Sequence, residues 1–340
     1  VTGRTARILF FSDSHLGFDL PQHPRIQRRR RGHDFSRNFH AVVEAALQNK
    51  ISVVVHGGDL FYRSRIPPEL TAEAFDTLSR LPDAGIPVVV IPGNHERSRM
   101  PNPLLAIRPG IHVLMTPRTV PVCSGGIRLN FAGFPYTRDI RSHFQTLVKQ
   151  TGLNEAPADF TFLCIHQAVE GATVGVQNYT FRNGPEVIPI RSIPHTVDAV
   201  LAGHIHRAQI LWTPEDSGSR RIPVVFAGSI ERTAMAERNE DKGYFILEAR
   251  LYTDGRRQLS RRFQTLPVRP MILIEIRDVE PELEDVTSGI VQRLSDVPRD
   301  AVVHIRYRAD VSKTRQLPDI ATLRQRLPGT MNLTLDIREV

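Results

Sequence analysis

Cysteine is nearly missing from this chain: Cys123 and Cys164 are the only two in 340 residues. Two thiols cannot build a disulfide framework, so a reducing, cytoplasmic setting is expected. No apolar run approaches the roughly 18–20 residues that a membrane-spanning helix needs, which excludes a helical membrane protein from the reading. The opening "VTGRTARILFFSDSH" has neither the long apolar region nor the small-residue cleavage site of a secretory signal, and runs straight into a strand-like segment. Lysine is also scarce, standing only at Lys50, Lys149, Lys242 and Lys313, so the 44 basic residues are nearly all arginine. Repeats and low-complexity tracts are absent, which removes solenoids and disordered linkers from consideration.

What is present suits a soluble globular protein. Hydrophobic residues make up 41% and charged residues 24%, and the length allows one large core plus a small one. The net charge of +8 and a pI near 10.0 permit an anionic partner, because neutralising phosphates supplies most sequence-independent affinity for DNA. Arginine suits bidentate phosphate contacts, although the same skew can follow from genomic base composition. The run Arg28 to Arg31 either touches a nucleic-acid backbone or is a solvated loop.

Short apolar strands alternate with amphipathic helices. "ARILFFSD", "ISVVVHGGD" and "IPVVVIPGNHE" read as strands, separated by the helices "FSRNFHAVVEAALQNK" and "PPELTAEAFDTLSRLPDAG", the second with proline at its start. The alternation indicates an α/β sheet with parallel portions. Further strands are expected at "IRLNFAGFP", "FTFLCIHQ", "AVLAGHIH", "IPVVFAGS" and "GYFILEARL". From "MILIEIRD" onward the pattern becomes strand, helix, strand, helix, strand, and a boundary is expected at residues 267/268. That gives a catalytic domain over 1–267 and a small α/β domain over 268–340.

Polar residues recur at the C-terminal ends of these strands, where open α/β sheets place their sites. "FSDSHLG" offers Asp13 and His15, "GGDLF" offers Asp59, and "PGNHE" offers Asn94 and His95. "CIHQ" offers His166, and "AGHIH" offers His204 and His206. Singly, each reads as a helix cap or a satisfied polar residue. As a set, buried carboxylates and imidazoles without matching Lys or Arg need cations to offset the cost of burial, and metal ions are the economical choice. Imidazole, carboxylate and amide oxygen without thiolate suit Mn2+, Fe2+ or Zn2+ better than Ca2+ or a structural zinc site. Seven candidate ligands exceed what one ion uses, so two divalent ions sharing a carboxylate are expected. Their surplus charge would attract a phosphate ester, and a bridging hydroxide would supply the nucleophile.

In order, "DSH", "GGDLF", "GNHE", the histidine of "CIHQ" and "GHIH" resemble the motifs of the calcineurin-like metallophosphoesterase superfamily. The resemblance spans residues 8 to about 250. It implies a metallophosphoesterase β-sandwich flanked by helices. It also implies one ion held by Asp13, His15, Asp59 and His206, and a second by Asp59, Asn94, His166 and His204. His95 would face the phosphate as the catalytic residue, stabilising charge or protonating the leaving oxygen.

"DSHLG", "GGDLFYRSRIPP", "GSIERT" and "DKGYFILE" further resemble the nuclease subunit of double-strand-break repair complexes, the SbcD type. That resemblance implies Mn2+-dependent DNA cutting, an SMC-like ABC ATPase partner of the SbcC type, homodimerisation, and a small domain capping the DNA groove. The family binds its ATPase through a segment beyond the cap, so partner binding is expected to use residues outside this chain or another surface. Many members carry a histidine after "GDLF", tied to exonucleolytic cutting, where this chain has Tyr62. Tyrosine is a poor proton carrier near neutral pH, so Tyr62 is expected to stack, hydrogen-bond or simply pack.

Two other readings stand beside the nuclease. A phosphodiesterase or phosphatase for small molecules or phosphoproteins would use the same site, although "GDLFYRS" lacks the "GDxVDRG" pattern of serine/threonine phosphatases. A non-catalytic scaffold for DNA and an ATPase would retain metals for structure alone. The loop "HQAVEGATVGVQNYTFRNG" carries Tyr179, Phe181 and Arg182, which either stack bases or pack on themselves. Glu231 and Arg232 either buttress the metal ligands or form a surface ion pair.

Overall fold

A computed structural model describes residues 3–19, 33–96, 108–215, 220–277, 286–309 and 318–339, so the run Arg28 to Arg31 lies outside the described residues. The chain divides into two compact units. One comprises Val1–Asp19, Phe35–Arg232 and Glu240–Pro267; the other comprises Leu20–Asp34, Thr233–Asn239 and Val268–Val340. Among the described residues no helix is long and apolar enough to cross a membrane.

The larger unit opens with strands β1 (Gly3–Phe11), β2 (Val53–His56), β3 (Val88–Val90) and β4 (Ile111–Val113). Strands β5 (Arg118–Ser124), β6 (Ile127–Gly133) and β7 (Phe160–His166) follow. Four two-residue strands come next: β8 (Ala168–Val169), β9 (Thr173–Val174), β10 (Tyr179–Thr180) and β11 (Val187–Ile188). Strands β12 (Ala199–Gly203), β13 (Gln209–Trp212), β14 (Pro223–Phe226), β15 (Gly243–Tyr252) and β16 (Arg257–Thr265) complete it. Helices α1 (Asp34–Gln48), α2 (Pro68–Asp83) and α3 (Ile140–Gln150) lie between them.

Two six-stranded mixed sheets result, in orders β16-β15-β1-β2-β3-β4 and β13-β14-β12-β7-β6-β5. Their facing sides share one core, in which Ile8, Phe10, Val53, Val55 and Val89 of the first sheet join Leu129, Phe131, Phe162, Cys164 and Leu201 of the second. Phe131 and Phe162 stack there with ring centroids 5.2 Å apart. The outer face of the second sheet buries Leu163, Ile165, Val200 and Ala202 with Ile140, Phe144 and Val148 of α3. On the first sheet, Phe11 meets Phe39 of α1 at 6.2 Å between centroids. Strands buried on both faces do not alternate apolar and polar residues, which is why β2 runs "VVV" before His56 and β12 runs "AVLAG".

The smaller unit is a parallel three-stranded sheet of β17 (Met271–Arg277), β18 (Val302–Ala309) and β19 (Asn332–Glu339), with helices α4 (Val286–Arg293) and α5 (Ile320–Arg326) between successive strands. Ile276, Ile290, Leu294, Val303, Ile305 and Leu323 form its core. The Asp319 carboxylate caps α5 by accepting from the backbone N–H groups of Ala321 and Thr322.

All eight interior strands of the two large sheets coincide with segments expected as strands from sequence. The four edge strands, β4, β5, β13 and β16, and helix α3 were not anticipated. Edge strands are covered on fewer sides, so they admit Pro121 in β5 and the arginines of β16. Cys123 is exposed on β5, whereas Cys164 is buried on β7 and both are free; burial pushes the Cys164 thiol pKa upward. Native protein should therefore react rapidly with a thiol reagent such as DTNB at one equivalent per chain, the second appearing only on unfolding in guanidinium. Two rapid equivalents would place Cys164 outside the inter-sheet core.

Candidate metal centre

The five polar clusters meet at one end of the two-sheet stack. Asp13 and His15 follow β1, Asp59 follows β2, and Asn94 and His95 follow β3, all parallel neighbours in the first sheet. His166 ends β7, and His204 and His206 follow its parallel neighbour β12 in the second sheet. The loops after β1 and β2 are joined by backbone bonds from Asp13 N–H to Gly58 O at 2.9 Å and from His15 N–H to Asp59 O at 3.0 Å. Four of the gathered residues adopt left-handed backbone that side chains other than glycine rarely take: Asp13 (φ 51°), His15 (φ 44°), Asp59 (φ 53°) and His204 (φ 80°). Such conformations persist only where the surroundings over-determine them, and they collect at functional sites.

Three close sets of ligand atoms occur: Asp13, His15 and His206; His15, Asp59 and His95; and Asp13, Asp59 and His166, with all atoms in a set within 4.8 Å of one another. Asp59 Oδ2 lies 3.3 Å from His166 Nε2, 3.8 Å from His95 Nε2 and 4.0 Å from His15 Nε2. Asp13 Oδ1 lies 3.9 Å from His206 Nε2 and 4.0 Å from His15 Nε2. Asn94 Oδ1 lies 3.1 Å from His166 Nε2 and 2.9 Å from His204 Nδ1. Every residue expected from sequence is thus brought to the centre. Asp13, His15 and Asp59 each belong to two of the three sets.

Proton accounting tests whether cations fit. His166 Nδ1 donates to Gly57 O at 2.8 Å, which in the neutral ring leaves the Nε2 lone pair facing Asp59 Oδ2 and Asn94 Oδ1. His15 Nε2 and His206 Nε2 face each other at 2.9 Å, a separation that admits one proton at most, and His15 Nδ1 is buried without a hydrogen-bond partner. The ion pairs of Asp13 and Asp59 run to histidines alone, with no Lys or Arg among the described residues. Each aspartate accepts one backbone N–H, Asp13 from His204 and Asp59 from His95, and the other groups facing it are imidazoles; carboxylate, imidazole and amide oxygen together are a ligand set that fits divalent metal.

The imidazoles titrate in two directions. Burial drives His15 well below its ordinary pKa, with His206 adding to the effect. Burial and His166 bring His204 down to about 3. Neutral imidazoles are the form that ligates metal. Burial raises Asp13. For Asp59 burial acts upward, but His166 and the other imidazoles outweigh it and hold the carboxyl below its usual range. The reciprocal holds at His166, which burial would lower and the Asp59 charge keeps up at about 9.

Several supporting residues escaped the sequence reading. His56, inside the quoted "ISVVVHGGD", is buried, with Nδ1 accepting from Gly58 N–H and Nε2 donating to Ser14 Oγ at 2.9 Å. Glu96 follows the candidate acid His95, and its carboxylate accepts from Phe61 N–H at 2.8 Å and Gly93 N–H at 2.7 Å, clamping the "GGDLF" and "GNHE" loops together. Burial and the Asp59 charge push Glu96 up to about 8. Buried Lys242 donates to His206 O at 2.8 Å and pairs with Glu240, which also holds Arg207 at 3.0 Å. Glu231 is buried, and Arg232 donates to Glu240 O at 2.9 Å, so this pair belongs to the supporting network rather than to the surface. From sequence, Glu231 and Arg232 read as either a buttress or a surface ion pair; for His56, Glu96 and Lys242 no motif signals the role, which depends on the loop lying opposite.

His95 is oriented by two bonds: its N–H donates to Asp59 Oδ1 at 2.9 Å, and its Nδ1 donates to Tyr62 O at 2.7 Å, leaving Nε2 toward the centre. The Tyr62 ring stacks on the His95 ring at 5.4 Å and 29°, and meets Phe18 edge-on at 4.8 Å. His95 and His206 keep 33% and 26% of their side chains exposed, so the centre opens to solvent on their side. The 166–184 loop is pinned by Arg207, which donates to Thr173 Oγ1, Asn178 Oδ1 and Gly175 O. Tyr179 on that loop is 62% exposed.

A model of the calcineurin-like phosphoesterase family matches residues 6–208. The chain belongs to that family. The match takes in β1 through the residues just after β12, which carry every residue gathered at the centre. Curated relatives include the DNA double-strand break repair protein Mre11 of Methanosarcina acetivorans, 28% identical over 318 residues, covering 88% of this chain and 45% of that protein. The protein of the same name from Haloferax volcanii is 29% identical over 311 residues, covering 89% of this chain and 62% of that protein. The chain spans about half the length of the curated relatives it matches, at 45% and 47% for the two Methanosarcina proteins. Among solved structures, the calcineurin-like phosphoesterase YfkN of Bacillus subtilis covers 78% of this chain and 91% of its own at 14% identity and a TM-score of 0.46.

Gly58 is a position where the packing of this phosphoesterase centre admits no side chain. Its φ is +107°, and a Cβ there would collide with the His166 imidazole. Gly58→Ala should lower stability by about 1–3 kcal/mol and weaken Mn2+ binding, read by thermal melting with and without Mn2+. Unchanged melting and Mn2+ response would contradict the close approach.

Proposed function

We propose that this chain is the catalytic part of a metal-dependent DNA nuclease in double-strand-break repair. The observation that carries the reading is the convergence of Asp13, His15, Asp59, Asn94, His166, His204 and His206 around converging lone pairs, with His95 at the open side. Asp13, His15, Asp59 and His206 would hold one divalent ion, and Asp59, Asn94, His166 and His204 the other, with Mn2+ the first choice and Fe2+ or Zn2+ behind it. When bound, such ions supply Lewis-acid polarisation and a water of lowered pKa for in-line attack on a phosphodiester. His95 would pass a proton from Nε2 to the leaving oxygen, with Nδ1 committed to the Tyr62 carbonyl. Tyr62 has no imidazole to offer, and its ring serves to hold that of His95.

The repair assignment is supported by the Mre11 relatives and by the net charge of +8. Residues 268–340 would cap the DNA groove, an SMC-like ABC ATPase of the SbcC type would be the partner, and the nuclease would act as a homodimer in the cytoplasm. Metal-stripped protein resupplied with Mn2+ should cut end-labelled single- or double-stranded DNA and turn over bis-p-nitrophenyl phosphate. Asp59→Ala should abolish both activities, and His95→Gln should slow DNA cutting by about 10²–10⁴-fold, the usual worth of a general acid. Turnover of the small ester with DNA left intact would favour the small-molecule phosphodiesterase, and no turnover of either would favour a scaffold.

A further inference from the structure

The chain has one tryptophan, Trp212, and it stands on edge strand β13 with 38% of its surface exposed. Two arginines lie against its ring. The Arg261 guanidinium carbon is 4.5 Å from the ring centroid and that of Arg221 is 5.5 Å away. Arg261 comes from β16, the edge strand of the other sheet, and the two edges meet where Ile210, Leu259 and Phe263 pack on the inter-sheet core.

Charge balance singles out these two arginines. Nearby Arg220 and Arg257 share the Asp198 carboxylate, at 2.9 Å and 3.4 Å. Arg221 and Arg261 have no carboxylate partner among the described residues; Arg221 donates only to Thr213 O at 3.3 Å. Arg261 is partly buried, which lowers its pKa. Two like charges held at one ring, with no counter-charge among the described residues, are a standing cost that an arriving anion would relieve.

The position separates this cluster from the metal centre. Trp212 is in register with Pro223 at the start of β14, and Val224 is in register with Val200 near the start of β12. His204 and His206 follow the other end of β12. The cluster therefore lies about 15 Å away along the strand direction, at the opposite end of the sheet.

We propose that Trp212, Arg221 and Arg261 form a second nucleic-acid contact, which takes single-stranded DNA or RNA by base stacking and phosphate pairing. An indole with guanidinium groups over its ring offers a flat surface on which a base can stack, and guanidinium N–H groups pair bidentately with phosphate. An acidic peptide would satisfy the charge but leaves the π faces unused. The contact is independent of the nuclease reading, since it shares no residue with the metal centre.

Because Trp212 is the sole tryptophan, its fluorescence reports this contact directly. In excess EDTA, an unlabelled thirty-nucleotide oligo(dT) should quench the emission to saturation, with the midpoint weakening as KCl rises. In the double variant Arg221→Gln, Arg261→Gln the midpoint should rise at least about ten-fold, and the slope of log K against log salt should fall by about 1.4, the share of two phosphate contacts on a single strand. An unchanged thermal midpoint would show the variant to be folded. Absence of quenching in the wild type, or quenching that the double variant leaves untouched, would overturn the proposal. Equal quenching by poly-glutamate would overturn the nucleic-acid assignment in favour of an acidic protein partner.

Discussion

The structure is organised around the cost of one buried carboxylate. Asp59 is 2% exposed, and the groups it meets are imidazoles and the backbone N–H of His95. A carboxylate in that setting needs positive charge beside it. Metal ions satisfy the need only if several neutral ligands stand ready at once, and so five loops from two sheets have to end at one place. The left-handed backbone at Asp13, His15, Asp59 and His204 is the local cost of that convergence. The double-faced burial of β1, β2, β7 and β12 is what holds the loops to it.

Around the centre, support is supplied chiefly by groups that tie loop to loop. Glu96 joins the loops after β2 and β3, His56 joins Ser14 to Gly58, and Lys242 grips the carbonyl of His206 from the start of β15. Ring orientation is set separately, by backbone carbonyls that take one nitrogen and leave the other facing the centre: Gly57 O at His166 Nδ1 and Tyr62 O at His95 Nδ1. The open side, where His95 and His206 stay partly exposed, is where an anionic ester can approach. Charge would direct it there: divalent metal ions beside two aspartates would keep a positive surplus, in a protein that is itself basic.

Legibility from sequence followed burial. Interior strands were readable because both faces are covered and the segments are uniformly apolar, and the site residues were readable because each follows such a segment beside a glycine or at a sharp turn. The four edge strands were not readable: β5 carries Pro121, β16 carries three arginines, and β4 and β13 span only three and four residues. Helix α3 was missed because its apolar stripe, Ile140, Phe144 and Val148, is narrow among polar neighbours. Glu96, His56 and Lys242 were visible as letters, but their roles depend on contacts between loops far apart in sequence. The Trp212 cluster joins two of the unanticipated edges, so no local pattern could have disclosed it.

Mn2+ stoichiometry tests the central claim most directly. Isothermal titration of metal-stripped protein should find two Mn2+ per chain, and Asp59→Asn should weaken both, because one carboxylate serves both ions. Asn94→Ala, by contrast, should weaken one and spare the other. Wild-type protein that takes up no Mn2+, or an Asp59→Asn protein that still binds two with unchanged affinity, would contradict the account.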